Sequence, residues 1–71
     1  MKSKEQVTLT VHLITGKTFV IVVPYWKAEN FYNGWVDSKV DEANDMHGIG
    51  TSKGKFMTET NSIISISIGV E

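Results

Sequence analysis

Two β-hairpins joined through a single helix, an α+β domain of two layers, is the architecture expected of this 71-residue chain. Three features lead to it. Apolar and polar residues alternate with a period of two near both ends of the chain. Glycines and the one proline punctuate those runs. Between them lies a stretch whose apolar residues recur with the period of a helix. The expected order is β-β-α-β-β, an antiparallel four-stranded sheet with one helix packed on one face. Residues 1–71 read as a single domain, since the length is too short for two.

Val7, Leu9, Val11 and Leu13 alternate with Thr8, Thr10, His12 and Ile14, which predicts the first strand. Thr15-Gly16-Lys17 breaks the pattern, and Gly16 suits the positive φ of a tight turn. Thr18 to Val23 is the second strand, ended by Pro24, which cannot donate to a ladder. Pro24 also suits the first turn of a helix running from Tyr25 to about Asn44. Ala28, Tyr32, Trp35, Val36, Ala43 and Met46 fall on its apolar arc, with Phe31 and Val40 at the margins. Gly48 is the expected stop. Residues 48–54 contain three glycines and read as a loop, and Lys55 to Thr58 as a short third strand. Glu59 to Ser62 forms a turn. Ile64, Ile66, Ile68 and Val70 then alternate with Ser65, Ser67 and Gly69 as the last strand, with Ile63 on its polar side.

A two-residue turn at Thr15-Gly16 sets Val11 opposite Val20, and one at Gly16-Lys17 sets Leu13 opposite Val20. Either places Val7, Leu9, Val11, Leu13, Val20 and Val22 on the face beneath the helix. Ile14, Phe19, Ile21 and Val23 then occupy the other face. One helix cannot cover both faces, so this second set is expected to be an apolar contact surface.

Composition narrows the function. Seven lysines, no arginine and a formal net charge of -1 argue against general nucleic-acid binding, which needs several cations. The absence of cysteine removes disulfides and thiolate metal sites. No run of about 18 apolar residues is present, so no membrane span is expected. Met1 to Gln6 lacks the apolar block of a signal peptide, which leaves the cytoplasm as the expected location.

The chemistry-bearing residues give little for catalysis. His12 and His47 lack metal-ligand spacing, so no metal or cofactor is expected. Gly50 to Lys55 falls one residue short of a Walker loop and follows a helix instead of preceding one. No nucleophile and base are paired, and the chain is not expected to be an enzyme. Asp37, Asp41 and Asp45 recur every four residues and should form an acidic row on the helix. Trp26 falls towards the polar side, where an aromatic can anchor a partner.

The short arginine-free chain, its strand-Thr15-Gly16-Lys17-strand opening and its closing Asn61-Ser62-Ile63-Ile64-Ser65-Ile66 resemble small accessory proteins from phages and mobile elements of low-GC Gram-positive bacteria. That resemblance implies a non-catalytic protein acting on a host or phage protein.

The expected function is a small protein-binding or regulatory module, working as a homodimer or on a partner protein. Its expected contact residues are Ile14, Phe19, Ile21, Val23, Trp26, Asp37, Asp41 and Asp45. The alternative is a regulator of nucleic-acid transactions. It would act as an inhibitor that mimics DNA through the acidic row, or bind single strands on the sheet.

Overall fold

The computed structural model describes residues 5–51 and 53–70, with the Val70 side chain excepted. The opening residues through Lys4, and Ser52 of the glycine-rich stretch, lie outside that description. The order is β1 (Gln6–Leu13), β2 (Thr18–Pro24), α1 (Tyr25–Val40), β3 (Met46–Thr51), β4 (Gly54–Glu59), a single 3-10 turn at Thr60–Ser62 and β5 (Ile63–Val70). β2, β1 and β5 form one antiparallel sheet in that order, and β3 and β4 form a separate hairpin. The α+β class holds, but five strands in two sheets replace the expected single four-stranded sheet.

The added strand is β3. Gly48 and Gly50 sit opposite Met57 and Lys55 on one side of the hairpin, while Ile49 on the other side is buried against Phe56. A strand with one apolar residue between two glycines carries no alternation signal of its own. Pairing with β4 makes it a strand.

The sheet faces are exchanged relative to expectation. Val7 pairs with Val23, Leu9 with Ile21 and Val11 with Phe19. The connecting loop has three residues, Ile14, Thr15 and Gly16. The Leu13 N–H donates to the Lys17 carbonyl at 2.9 Å, and the Gly16 N–H to the Leu13 carbonyl at 3.0 Å. Gly16 takes φ +92°, the position that makes glycine the natural third residue of such a loop. Relative to either two-residue turn, the pairing slips by an odd number of residues, and an odd slip moves every β2 side chain to the opposite face. Val23 is therefore core, with Phe19 and Ile21 packed against it, while Val20 and Val22 are 58% and 53% exposed.

β5 has its own exchange. The ladder shifts between His12 and Leu13, which pairs His12 with Ser65 and Leu13 with Ile63. Ile64 is the extra residue of this bulge and is exposed, whereas Ile63 is buried. Ile66 and Ile68 then return to the inner face.

The core lies between the inner face of the sheet, α1 and the β3–β4 hairpin. Val7, Leu9 and Val11 are fully enclosed, and Ala28, Phe31 and Trp35 close over them from the helix. Each large aliphatic side chain buried this way contributes about 1.5–3 kcal/mol. Phe31 is thus central instead of marginal, and Tyr32 is exposed. The Phe19 and Phe56 rings stack at 3.8 Å between centroids and 14° between planes, which joins the hairpin to β2.

α1 stops at Val40, short of the expected Asn44. Glu42 takes φ +56°, its N–H donates to the Lys39 carbonyl at 3.2 Å, and the Ala43 N–H donates to the Ser38 carbonyl at 2.9 Å. This is a Schellman termination with glutamate where glycine is usual. Past it, Thr60 ties the chain together. Its hydroxyl donates to the Asp45 carbonyl and accepts from the Asp45 N–H, both at 3.1 Å. Its carbonyl lies 3.4 Å from the Trp35 indole nitrogen, which donates to it.

Candidate functional site

The expected contact residues do not share a surface. Phe19, Ile21 and Val23 lie on the inner face of the sheet, which corrects their assignment to the open face, and Phe19 and Ile21 are partly buried there at the border of a cleft beside β2. Ile14 is exposed in the β1–β2 loop, and Trp26 is 46% exposed at the start of α1. The acidic row is broken by the early helix end. Asp37 lies on the helix, Asp41 caps it, and Asp45 lies beyond it, accepting from the Ser38 hydroxyl at 2.8 Å.

The histidines serve the structure. His12 Nδ1 lies 3.3 Å from the Thr18 hydroxyl on the open sheet face. His47 belongs to β3 and not to the helix end. Its Nε2 lies 2.7 Å from the Thr60 hydroxyl, which also bonds the Asp45 carbonyl at 3.1 Å, and the imidazole tautomer sets which partner of the 2.7 Å bond donates. Among the described residues no group of three or more His, Asp or Glu is placed to hold a metal ion.

The feature that stands apart is the outer edge of β2. The Leu13–Lys17 bond at the loop makes that pair a hydrogen-bonded one. The Tyr25 N–H donates to the Glu5 carbonyl at 2.7 Å and does the same at the other end. Pairs alternate along an antiparallel ladder, so Phe19, Ile21 and Val23 direct their backbone groups to β1. Thr18, Val20 and Val22 direct theirs away from it. Among the described residues β1 is the only strand bonded to β2, so the N–H and C=O groups of Val20 and Val22 form a free row.

A cleft runs along this row. One section, of about 380 Å³, has Phe19 and Phe56 among its lining residues and Thr51, Lys53 and Lys55 across from Val20. The adjoining section, of about 290 Å³, is lined by Val22, Pro24, Lys27, Gly50 and Thr51. The Lys27 ammonium donates to the Gly50 carbonyl at 3.3 Å and lies 5.6 Å from the centre of the Trp26 ring. Beyond Lys27 a groove of about 390 Å³ between α1 and β3 is walled by Trp26, Asn30 and Met46.

The lining is basic. Lys27, Lys53 and Lys55 contribute to these sections, and none of their described lining residues is a carboxylate. Of the seven described acidic residues, Glu5 and Glu29 bond to Tyr25 beside the Pro24 end of the cleft, and the other five gather elsewhere. Asp45 and Glu59 stand at the end of the β3–β4 hairpin opposite its Thr51–Gly54 tip. Asp37, Asp41 and Glu42 lie at the end of α1.

Sequence reading missed Val20, Val22, Thr51, Lys53 and Lys55 as a group. The available signal was Ile14-Thr15-Gly16, which fits a three-residue loop with its glycine last and fixes the odd slip. A scan against protein-family models finds no match, and searches of curated proteins and of solved structures find none either. The geometry of this edge is what bears on function.

Proposed function

We propose that the chain is a small protein-binding module without catalysis of its own, which takes an extended stretch of a partner polypeptide as a further strand on β2. The supporting observation is the free row of Val20 and Val22 backbone groups beside an open cleft. Main-chain hydrogen bonds give such strand addition its affinity, and the side-chain surroundings give it selectivity. Exposed edges are ordinarily guarded by a charge, a proline or a bulge on the edge strand, or by a covering loop. β2 reads Thr-Phe-Val-Ile-Val-Val-Pro, with no charged residue and its proline only at the last position. β5 also has an outer edge, but the wall formed by Thr51, Lys53 and Lys55 stands beside β2.

Proline scanning tests this reading. Val22→Pro removes an outward N–H and leaves the β1 ladder intact, a place where proline is tolerated. Ile21→Pro removes a ladder bond and serves as the destabilised control. The expected outcome is that Val22→Pro folds and loses a protein captured by the wild-type chain. Equal capture by wild type and Val22→Pro overturns the proposal.

A further inference from the structure

We propose that the strand received by β2 is acidic, an extended segment in which carboxylates alternate with small apolar residues. This rests on the strand-addition reading and specifies its partner. A strand laid against β2 places every second side chain on the open face, beside Val20 and Val22. The side chains between them turn inward, towards Phe19, Phe56 and the lysine-bearing wall. Lys53 stands along that wall, Lys55 borders it from the side of the hairpin opposite Phe56, and Lys27 stands at the Pro24 end of the cleft. Lys27 gives one of its three ammonium hydrogens to Gly50, which leaves two for a ligand. Carboxylates two residues apart on the added strand lie about 6.7 Å from one another and can meet successive lysines.

The same charges disfavour the other occupants. Pairing β2 with the β2 of a second copy would bring two lysine walls together. Among the described residues no strand has alternating carboxylates, since Glu59 is the one acidic residue within the strands. A single-stranded nucleic acid would meet the lysines but would leave the outward N–H and C=O row without a matching backbone.

The test uses the full chain, labelled with nitrogen-15, and a short capped peptide of alternating glutamate and valine. A peptide with glutamine for glutamate and an oligothymidylate are the comparison probes. The glutamate peptide is expected to shift the Val20 and Val22 amides and slow their hydrogen exchange. The glutamine peptide should bind about tenfold more weakly at low salt, the scale of two partly exposed ion pairs. The double variant Lys53→Glu/Lys55→Glu should lose that preference. Lys53→Gln/Lys55→Gln, which adds no new charge, should reduce the preference to what Lys27 alone supplies, about threefold or less.

Equal binding of the two peptides, unchanged in either double variant, overturns the acidic assignment and leaves strand addition standing. Absence of any shift at those amides with both peptides also overturns it, and strand addition is then judged by the Val22→Pro capture. Shifts with oligothymidylate alone overturn it in favour of a nucleic acid. A doubling of mass with concentration that Val22→Pro abolishes overturns it in favour of a second copy.

Discussion

Glu42 holds a backbone conformation that costs an L-residue roughly 1–2 kcal/mol. Its role in ending α1 depends on the backbone and not on its side chain. Glu42→Gly is therefore expected to stabilise the chain by about 0.5–1 kcal/mol, read from the urea midpoint at unchanged slope. Tyr25 shows a second local effect. The charge of Glu29, and then the hydrogen bond from the Tyr25 hydroxyl to Glu29 at 3.2 Å, raise the phenol above its ordinary pKa of 10.0. The folded chain thus holds that proton more tightly than the unfolded chain. The associated stability is present below pH 10.0 and is lost as pH rises through the higher folded value. Ultraviolet titration should show one tyrosine ionising late, and Glu29→Gln should return it to the ordinary range.

At the scale of elements, β1, β2, the start of α1 and β5 are legible because their alternation, or a proline, marks them directly. What escapes is set by pairing. Leu13, Gly16 and Lys17 close a three-residue loop, and no alternation within β2 reports on loop length. Ile63 and Ile64 exchange sides because one residue bulges against His12 and Leu13. Gly48 and Gly50 form a strand only because β4 lies beside them. Glu42 ends a helix without the glycine that normally announces it. The candidate site was illegible for the first of these reasons, since the slip of β2 decides whether Val20 or Ile21 meets solvent. Substitution checks that slip. Val20→Glu is expected to change stability by less than about 0.5 kcal/mol, as for an exposed position. Ile21→Glu, partly buried on the inner face against the core, should cost about 1–3 kcal/mol through desolvation of the charge. Comparable thermal midpoints for the two variants would refute the register.

Across the whole molecule, two sheets that share no ladder enclose one core with a helix, and the Phe19–Phe56 stack bridges them beside the cleft. Charge is sorted along the hairpin, with Lys53 and Lys55 towards the tip and Asp45 and Glu59 at the base. A near-neutral sequence total of -1 conceals this separation. Opposed ends of this kind orient an approaching charged partner before contact. The molecule therefore presents a directional surface although its composition reads as balanced.

Pro24 ends β2 and Tyr25 begins α1 with no residue between them. Tension applied to that strand has no slack to absorb it and reaches the first helical turn, where Trp26 is half in water. Trp35 is almost wholly enclosed. If a strand adds to β2 as proposed, Trp26 emission is the expected optical readout, and an unchanged spectrum on binding would refute coupling between β2 and the first turn of α1.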